Sequence, residues 1–240
     1  MSFSIITASF NSMPFIIHCV NSLGLQRNIE FEHIIVDGNS SDGTREFLEQ
    51  TPNIRFISEK DKGIYDALNK GYALARNDYI GVLHTDDFFV DEMVLSDIQE
   101  LFLSGADVVY ADLDYVSREV PDKLIRKWKS GLFDYRDLKF GWMPPHPTMF
   151  IKKEVFTKIG EYDLQYKVSS DYDFMLRVLK EKTLRISYLP RTIVRMRMGG
   201  VSNKRLFSKM QEDYSIMCKN FPSPFGTLLI KNLRKIGQFV

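Results

Sequence analysis

The chain has 240 residues, 44% of them hydrophobic and 26% charged, which suffices to bury one sizeable core and fits one large α/β domain. A formal net charge of +1 argues against a surface built throughout for nucleic acid, and no nucleic-acid partner is expected. Cys19 and Cys218 stand alone, without the CxxC pairs of a zinc site or the Cys set of a disulfide framework, and read as free thiols.

Met1 leads straight into an apolar run, with no basic start, long apolar stretch or small-residue cleavage site. No segment approaches the ~20 apolar residues of a membrane span, so a cytoplasmic location is expected. Runs rich in β-branched residues over 4–8, 33–36, 54–58, 79–83 and 107–110 predict strands buried on both faces. Helix-length spacers separate them. Ser41 or Asp42 is a natural cap for the second helix. Over 63–76, Ile64, Ala67, Leu68, Gly71 and Ala75 share one helical face, and Asp66 lies one turn from Lys70. This alternation implies a mostly parallel, Rossmann-like sheet flanked by helices, with right-handed crossovers. Its ligands bind where loops leave the carboxyl ends of the strands.

Pro121, Gly131 and the segment 141–147 break the second half into loops, followed by a strand near 148–151 and a helix from about 171 to 180. From Lys204 the chain reads as helical, divided by Pro222 and Pro224. Residues 204–240 hold seven Lys or Arg against two acids, leaving 25 bases and 29 acids on residues 1–203. An acidic body of 1–203 and a basic helical tail of 204–240 are therefore expected to do different work.

The four expected strand exits, 7–11, 37–42, 59–63 and 84–87, are polar, and three carry acids. Asp86 and Asp87 place two like charges side by side, which is costly unless a cation joins them. A hard divalent ion, Mg²⁺ or Mn²⁺, suits one or two carboxylates completed by diphosphate oxygens and water. Capping of the following helix explains an Asp-Asp step equally well. Asp37 either bonds a nucleobase edge or stabilises the tight Asp37-Gly38 turn, and alone the turn reading is stronger. Recurrence of acids at several exits of one sheet tips the balance toward a ligand.

The segments 3–11, 33–44, 61–71 and 85–87, in this order and spacing, closely resemble glycosyltransferase family 2, above all bacterial members that build O-antigen and other surface polysaccharides. The likeness runs from Phe3 to about Ser202. It implies a GT-A fold with a nucleotide-sugar half over 1–113 and an acceptor half over 114–203. It also implies that Thr7, Ala8 and Ser9 line the base, that Asp37 bonds it, and that Asp61 lies beside the nucleotide. Asp86 then reaches the ribose and Asp87 binds the metal. Asp171, in Val168-Ser169-Ser170-Asp171-Tyr172-Asp173, maps to the general base of an inverting transfer, with Asp173 as second choice or as an acceptor contact. Two departures stand out: many members carry Glu where this chain has Ser170, and a late-loop metal-binding His where it has Gly199, three residues before Ser202. The metal is therefore expected to bind together with the donor.

His146 either bonds the acceptor or a phosphate or is a satisfied structural histidine, and nearby Trp142 offers an apolar face for a sugar ring. Arg195 and Arg197 either meet a diphosphate or are ordinary surface. In the tail, Phe225, Leu228, Leu229, Ile230, Leu233 and Ile236 with Lys231, Arg234 and Lys235 form a short basic amphipathic pattern. It suits a membrane interface, packing on the domain, or a homodimer contact. The expected activity is hexosyl transfer from a UDP-linked or similar nucleotide-sugar donor to a glycan or polyprenyl-linked acceptor, at the inner face of the cell membrane. A nucleotidyltransferase would want a Gly-rich basic loop after the first strand, and 7–11 has neither glycine nor base. A non-catalytic relative would have little use for Asp37, Asp86, Asp87 and Asp171 together.

Overall fold

The computed structural model describes residues 1–199 and 206–233. Its first part alternates β1 (Ser2–Ser9), α1 (Phe15–Gly24), β2 (Glu30–Asp37), α2 (Thr44–Gln50), β3 (Ile54–Ser58), α3 (Ile64–Leu74) and β4 (Tyr79–Val82). These strands lie parallel in the order β3-β2-β1-β4, in register from Ser2 opposite Glu30 to Ser9 opposite Asp37. The polar residues that follow them therefore collect along one edge of the sheet. The apolar runs behind them are buried on both faces: Ile6 and Ile34 face one core, Phe3 and Ile5 a second, and Ile35 a third under α1. Helix α3 lies close to β1 because Gly71 has no side chain. A Cβ there would stand 2.3 Å from Cγ2 of Ile6.

The second part supplies β5 (Asp87–Phe89), α4 (Val94–Leu103), β6 (Val108–Val116), β7 (Leu124–Trp128), β8 (Phe150–Lys152), α5 (Lys153–Ile159), α6 (Ser170–Lys180) and β9 (Ile186–Arg197). The sheet continues from β4 through β8, β6 and β9 to β5, with β7 paired to β6. Here the pairings of β4 with β8, β8 with β6, and β9 with β5 are antiparallel. Strands β5, β7 and β9 were not legible in the sequence, and β6 runs six residues beyond the expected end at Tyr110. The expected strand at 148–151 opens with a 3₁₀ turn, His146–Thr148, and pairs from Phe150. The second helix starts at Thr44, and Asp42 serves it by accepting a hydrogen bond from the Thr44 N–H.

The tail forms two helices, α7 (Leu206–Asn220) and α8 (Pro224–Leu233), divided at the prolines as expected. It packs on the domain. Ile216 and Met217 of α7 are fully buried in the cluster that also holds Ile6, Tyr65 and Tyr172. Lys231, expected on a basic outer face, instead turns inward, 2.9 Å from the buried Asp213 and over the Tyr172 ring. Ser202, Arg234, Lys235 and Ile236 lie outside the described residues.

Candidate active site

The loops after β1 and β2 are stitched together. Asn11 N–H donates to Ser40 Oγ, Ser41 N–H to Asn11 Oδ1, Ser12 N–H to Thr44 Oγ1 and Met13 N–H to Asp42 Oδ2. Asn11 and Asn39 adopt left-handed backbone (φ 46° and 65°), a conformation Asn tolerates better than most residues. Asp37 is fully buried and accepts from Ser40 N–H, Ser40 Oγ and Ser58 Oγ, so the structure gives this carboxylate to its own turn rather than to an open base pocket. Thr7 is likewise buried, donating to the Leu83 carbonyl and facing His33 Nε2, and Ala8 packs into the core. Neither lines an open surface. Ser9 Oγ lies against Ser12 Oγ at the loop itself.

The open surface here belongs to Phe10, Gly38 and Asp61. A Cβ on Gly38 would meet Oδ2 of Asp61 at 2.7 Å and the Phe10 ring at 3.2 Å, so both side chains lie over the glycine backbone. The Phe10 ring is 64% exposed. Asp61 is held by the Gly63 N–H. Sequence reasoning passed over Phe10; an aromatic directly after a buried strand, at an exit already marked by acids, was the available signal.

At the β4 exit the paired carboxylates separate. Asp86 keeps a quarter of its side chain exposed and lies 3.4 Å from Arg118 Nη1. Asp87, the expected metal ligand, opens β5 beside β9, opposite Met196; it is 1% exposed and neither of its oxygens has a protein partner among the described residues. Burial, with the Asp86 charge adding to it, holds the Asp87 carboxyl well above the usual carboxylate range, and Arg197 only partly opposes this. Asp86 is the more exposed of the two, and the unpartnered oxygens of Asp87 leave it able to take a cation as expected. Arg197 departs from expectation: it is 5% exposed, donates to the Asp86 carbonyl at 2.8 Å and to His18 Nδ1, and lies over the Phe88 ring. Arg195 points away, toward Asp122. Arg118, not singled out in the sequence, stacks over Phe15 at 4.1 Å. Arg118 thus meets the Asp86 carboxylate, and Arg197 holds the Asp86 main-chain carbonyl.

Deeper in, His84 and His146 lie with ring centroids 5.7 Å apart, each with an unpartnered Nδ1. His146 Nε2 meets Tyr162 Oη at 2.8 Å, and burial pushes its pKa down to about 4, so it is neutral at pH 7. Asp171 stands in the first turn of α6. Burial pushes its carboxyl up, but Lys209, His146, the Tyr172 N–H and the Tyr65 hydroxyl outweigh that and hold it below the usual range. The charges of Asp86 and Asp171 both oppose the burial that holds His84 below the usual histidine range. Asp173 is instead paired with Arg177 at 2.9 Å, one turn on. Trp142 is a correction: its indole N–H donates to the Ser130 carbonyl and its ring packs against Tyr110 and Phe133, leaving no open face for a sugar.

Among the described residues, no group of three or more His, Cys, Asp or Glu side chains is gathered closely enough to hold a metal alone. A divalent ion fits as a shared one, with the unpartnered Asp87 oxygens or Asp86 on one side and ligand oxygens on the other.

The family description Glycosyl transferase family 2 matches residues 4–160. A PGL/p-HBAD biosynthesis glycosyltransferase of Mycobacterium bovis is 30% identical over 209 residues, covering 84% of this chain and 79% of that one. Among solved structures, S. aureus TarS in complex with UDP-GlcNAc superposes with a TM-score of 0.68 at 19% identity, over 90% of this chain and 64% of that one. A mannosyltransferase from Pyrobaculum calidifontis, in complex with GDP-Man and Mn²⁺, superposes with a TM-score of 0.67 at 15% identity, over 95% and 68%. These likenesses establish the GT-A fold.

Proposed function

The chain belongs to glycosyl transferase family 2, and from that premise we propose that it moves a sugar, with inversion, from a nucleotide-diphosphate donor to a glycan or polyprenyl-linked acceptor of a bacterial surface polysaccharide. A UDP-sugar is the first donor to try. The observation that carries this reading is a partly exposed carboxylate, Asp86, paired with Arg118 at the β4 exit, together with a second carboxylate, Asp171, kept ionised and bonded to the Tyr65 hydroxyl of α3.

The nucleobase stacks on Phe10, with Asp61 and the Gly38 backbone beside it. The diphosphate lies at Asp86, where Arg118 and Arg197 neutralise it. Asp86 or Asp87 would hold Mg²⁺ or Mn²⁺ there, and the ion would supply electrostatic stabilisation of the leaving group. Asp171 takes the proton of the acceptor hydroxyl as that oxygen attacks the anomeric carbon. The bond from that carbon to the diphosphate oxygen breaks on the opposite face, and the diphosphate departs with the electron pair. A carboxylate held below the usual pKa range is a weak base, so the proton moves only as the new C–O bond forms.

A screen of nucleotide sugars, following nucleotide diphosphate release with Asp171→Asn as control, tests the proposal. Loss of a general base is expected to slow transfer by about 10²–10⁴-fold. Activity that survives the change moves the role to Asp173, and a chain that binds no nucleotide sugar sinks the reading altogether.

A further inference from the structure

Ser169 stands at the N-cap of α6, yet among the described residues its hydroxyl has no protein partner and caps nothing. The leading amides of a helix need acceptors. Here Glu212, reaching across from α7, ties down the N-cap amide and the two before it: Oε1 accepts from Lys167 N–H, and Oε2 accepts from both Val168 N–H and Ser169 N–H, each at 2.9 Å. One carboxylate thus holds three successive backbone groups of the segment that leads into Asp171. From the opposite side, Tyr65 in the first turn of α3 places its hydroxyl 3.0 Å from Asp171 Oδ1 and 2.8 Å from the Val168 carbonyl, sharing its one proton between them. Helix α3 begins just after the Asp61 loop. The 167–171 segment is therefore gripped between the nucleotide side of the fold and the C-terminal hairpin.

We propose that Glu212 and Tyr65 are positioning residues that fix the Asp171 carboxylate toward the acceptor hydroxyl, so that the C-terminal hairpin is a working part of the active site. This rests on reading Asp171 as the base. Bonds to charged groups are stronger than neutral ones, and a misplacement of about 1 Å at a reacting group can cost roughly 10²-fold in rate. The charged and titratable groups around Asp171 are Lys209 on α7, Tyr65 on α3, and His146 and His84 from the neighbouring loops. Lys209 lies one turn before Glu212, so the same helix supplies both the grip and a cation that favours the ionised base.

The test uses the full chain, UDP as the nucleotide probe, and the donor found in the screen above. Glu212→Gln should speed hydrogen exchange at the 167–169 amides by about tenfold or more, since an amide accepts at only one of its two positions. UDP affinity should stay within about twofold, while turnover at saturating donor falls by roughly ten- to a hundredfold. Tyr65→Phe keeps the ring and removes only the hydroxyl. It should lower turnover and move the acidic limb of the pH–rate profile upward, because the ionised carboxylate loses a donor. A merely structural role would not move that limb. Native exchange at 167–169 in Glu212→Gln, native turnover in that variant, or an unmoved limb in Tyr65→Phe each overturns the proposal. Asp171→Asn run alongside separates the two ideas: surviving activity there removes the base itself, whereas unchanged exchange in Glu212→Gln removes the grip.

Discussion

At the exits of β1 and β2 the polar groups are partnered within the chain, Asp37 by Ser40 and Ser58, Asn11 by Ser40 and Ser41, and Asp42 by Thr44 and Met13. Across the β4 exit and the start of α6, by contrast, His84 Nδ1, both oxygens of Asp87, Arg197 Nε, His146 Nδ1, Ser170 Oγ and Tyr172 Oη are buried without a protein partner among the described residues. A buried polar atom left unpaired costs roughly 1–3 kcal/mol. The first region is thus a finished frame that holds its shape with or without ligand. The second is built to be completed by something other than the chain, which is where a diphosphate, an acceptor hydroxyl or ordered water belongs.

The largest effect expected from this contrast is at Asp86. In Asp86→Asn the joint binding of Mn²⁺ and UDP should weaken by roughly ten- to a hundredfold by titration calorimetry. Asp87→Asn should weaken it as well, since both oxygens of that carboxylate lie without a protein partner among the described residues. Binding unchanged in both variants would remove the metal from this pair. Without UDP, Mn²⁺ should bind the protein weakly, since no group of three or more His, Cys, Asp or Glu ligands is gathered among the described residues; tight binding to the nucleotide-free chain would contradict a shared site.

A smaller effect is expected in the finished frame. Phe10→Ala removes an exposed ring without opening the core, so the fold should keep its melting temperature while UDP affinity falls by about 1–3 kcal/mol, the usual worth of an aromatic stacked on a base. An unchanged affinity would place the base elsewhere, and Asp37 would then have to give up a serine bond to receive it.

The parallel half was legible because its strands are continuous apolar runs and its helices carry a clean one-sided pattern, as in 63–76. Even there the roles blurred, because Thr7 and Asp37 have the residue types of ligands but spend their polar atoms on neighbours. The second half hid its antiparallel strands. Residues 186–197 mix exposed and buried positions without strict alternation, since β9 pairs with β6 through two register shifts and with β5 on its other edge. That is why Arg197 read as surface. Asp86 and Asp87 look equivalent in sequence, and only the turn into β5 leaves one partly exposed and buries the other beside β9. Glu212 was out of reach for the same kind of reason: nothing local links an acid in a tail helix to amides more than forty residues earlier.

Acid should act on both regions through buried histidines. Burial holds His33 at about 3 and His146 at about 4, against 6.5 for an ordinary histidine. Between these values and 6.5 the unfolded chain binds a proton that the folded chain refuses, so stability rises with pH and is lost as pH falls from 6.5. Each group contributes up to about 1.4 kcal/mol per pH unit. Urea midpoints measured from pH 7 to 5 should fall, and His33→Asn and His146→Asn should each flatten the slope. A slope untouched by His146→Asn would mean that the second region already tolerates a charge, which would weaken the contrast drawn above.

The smallest expected effect concerns the outer face of the hairpin. Phe225, Leu229 and Leu233 recur one helical turn apart on α8 and are 71%, 53% and 54% exposed, although no helix among the described residues is long and apolar enough to cross a membrane. Such a stripe can lie in a bilayer surface beside a lipid-linked acceptor, with Arg234 and Lys235 next in sequence to favour anionic lipid. Deleting the hairpin would test this badly, because Lys231 pairs with Asp213 and Thr227 donates to the Lys139 carbonyl, so the deletion would loosen the site as well. Serine at the three exposed positions leaves those contacts intact. Flotation with vesicles containing anionic lipid should drop severalfold for the triple variant while UDP affinity holds. Equal recovery of both proteins in the unbound fraction would remove the membrane role and leave the hairpin with its inward task alone, holding the approach to Asp171.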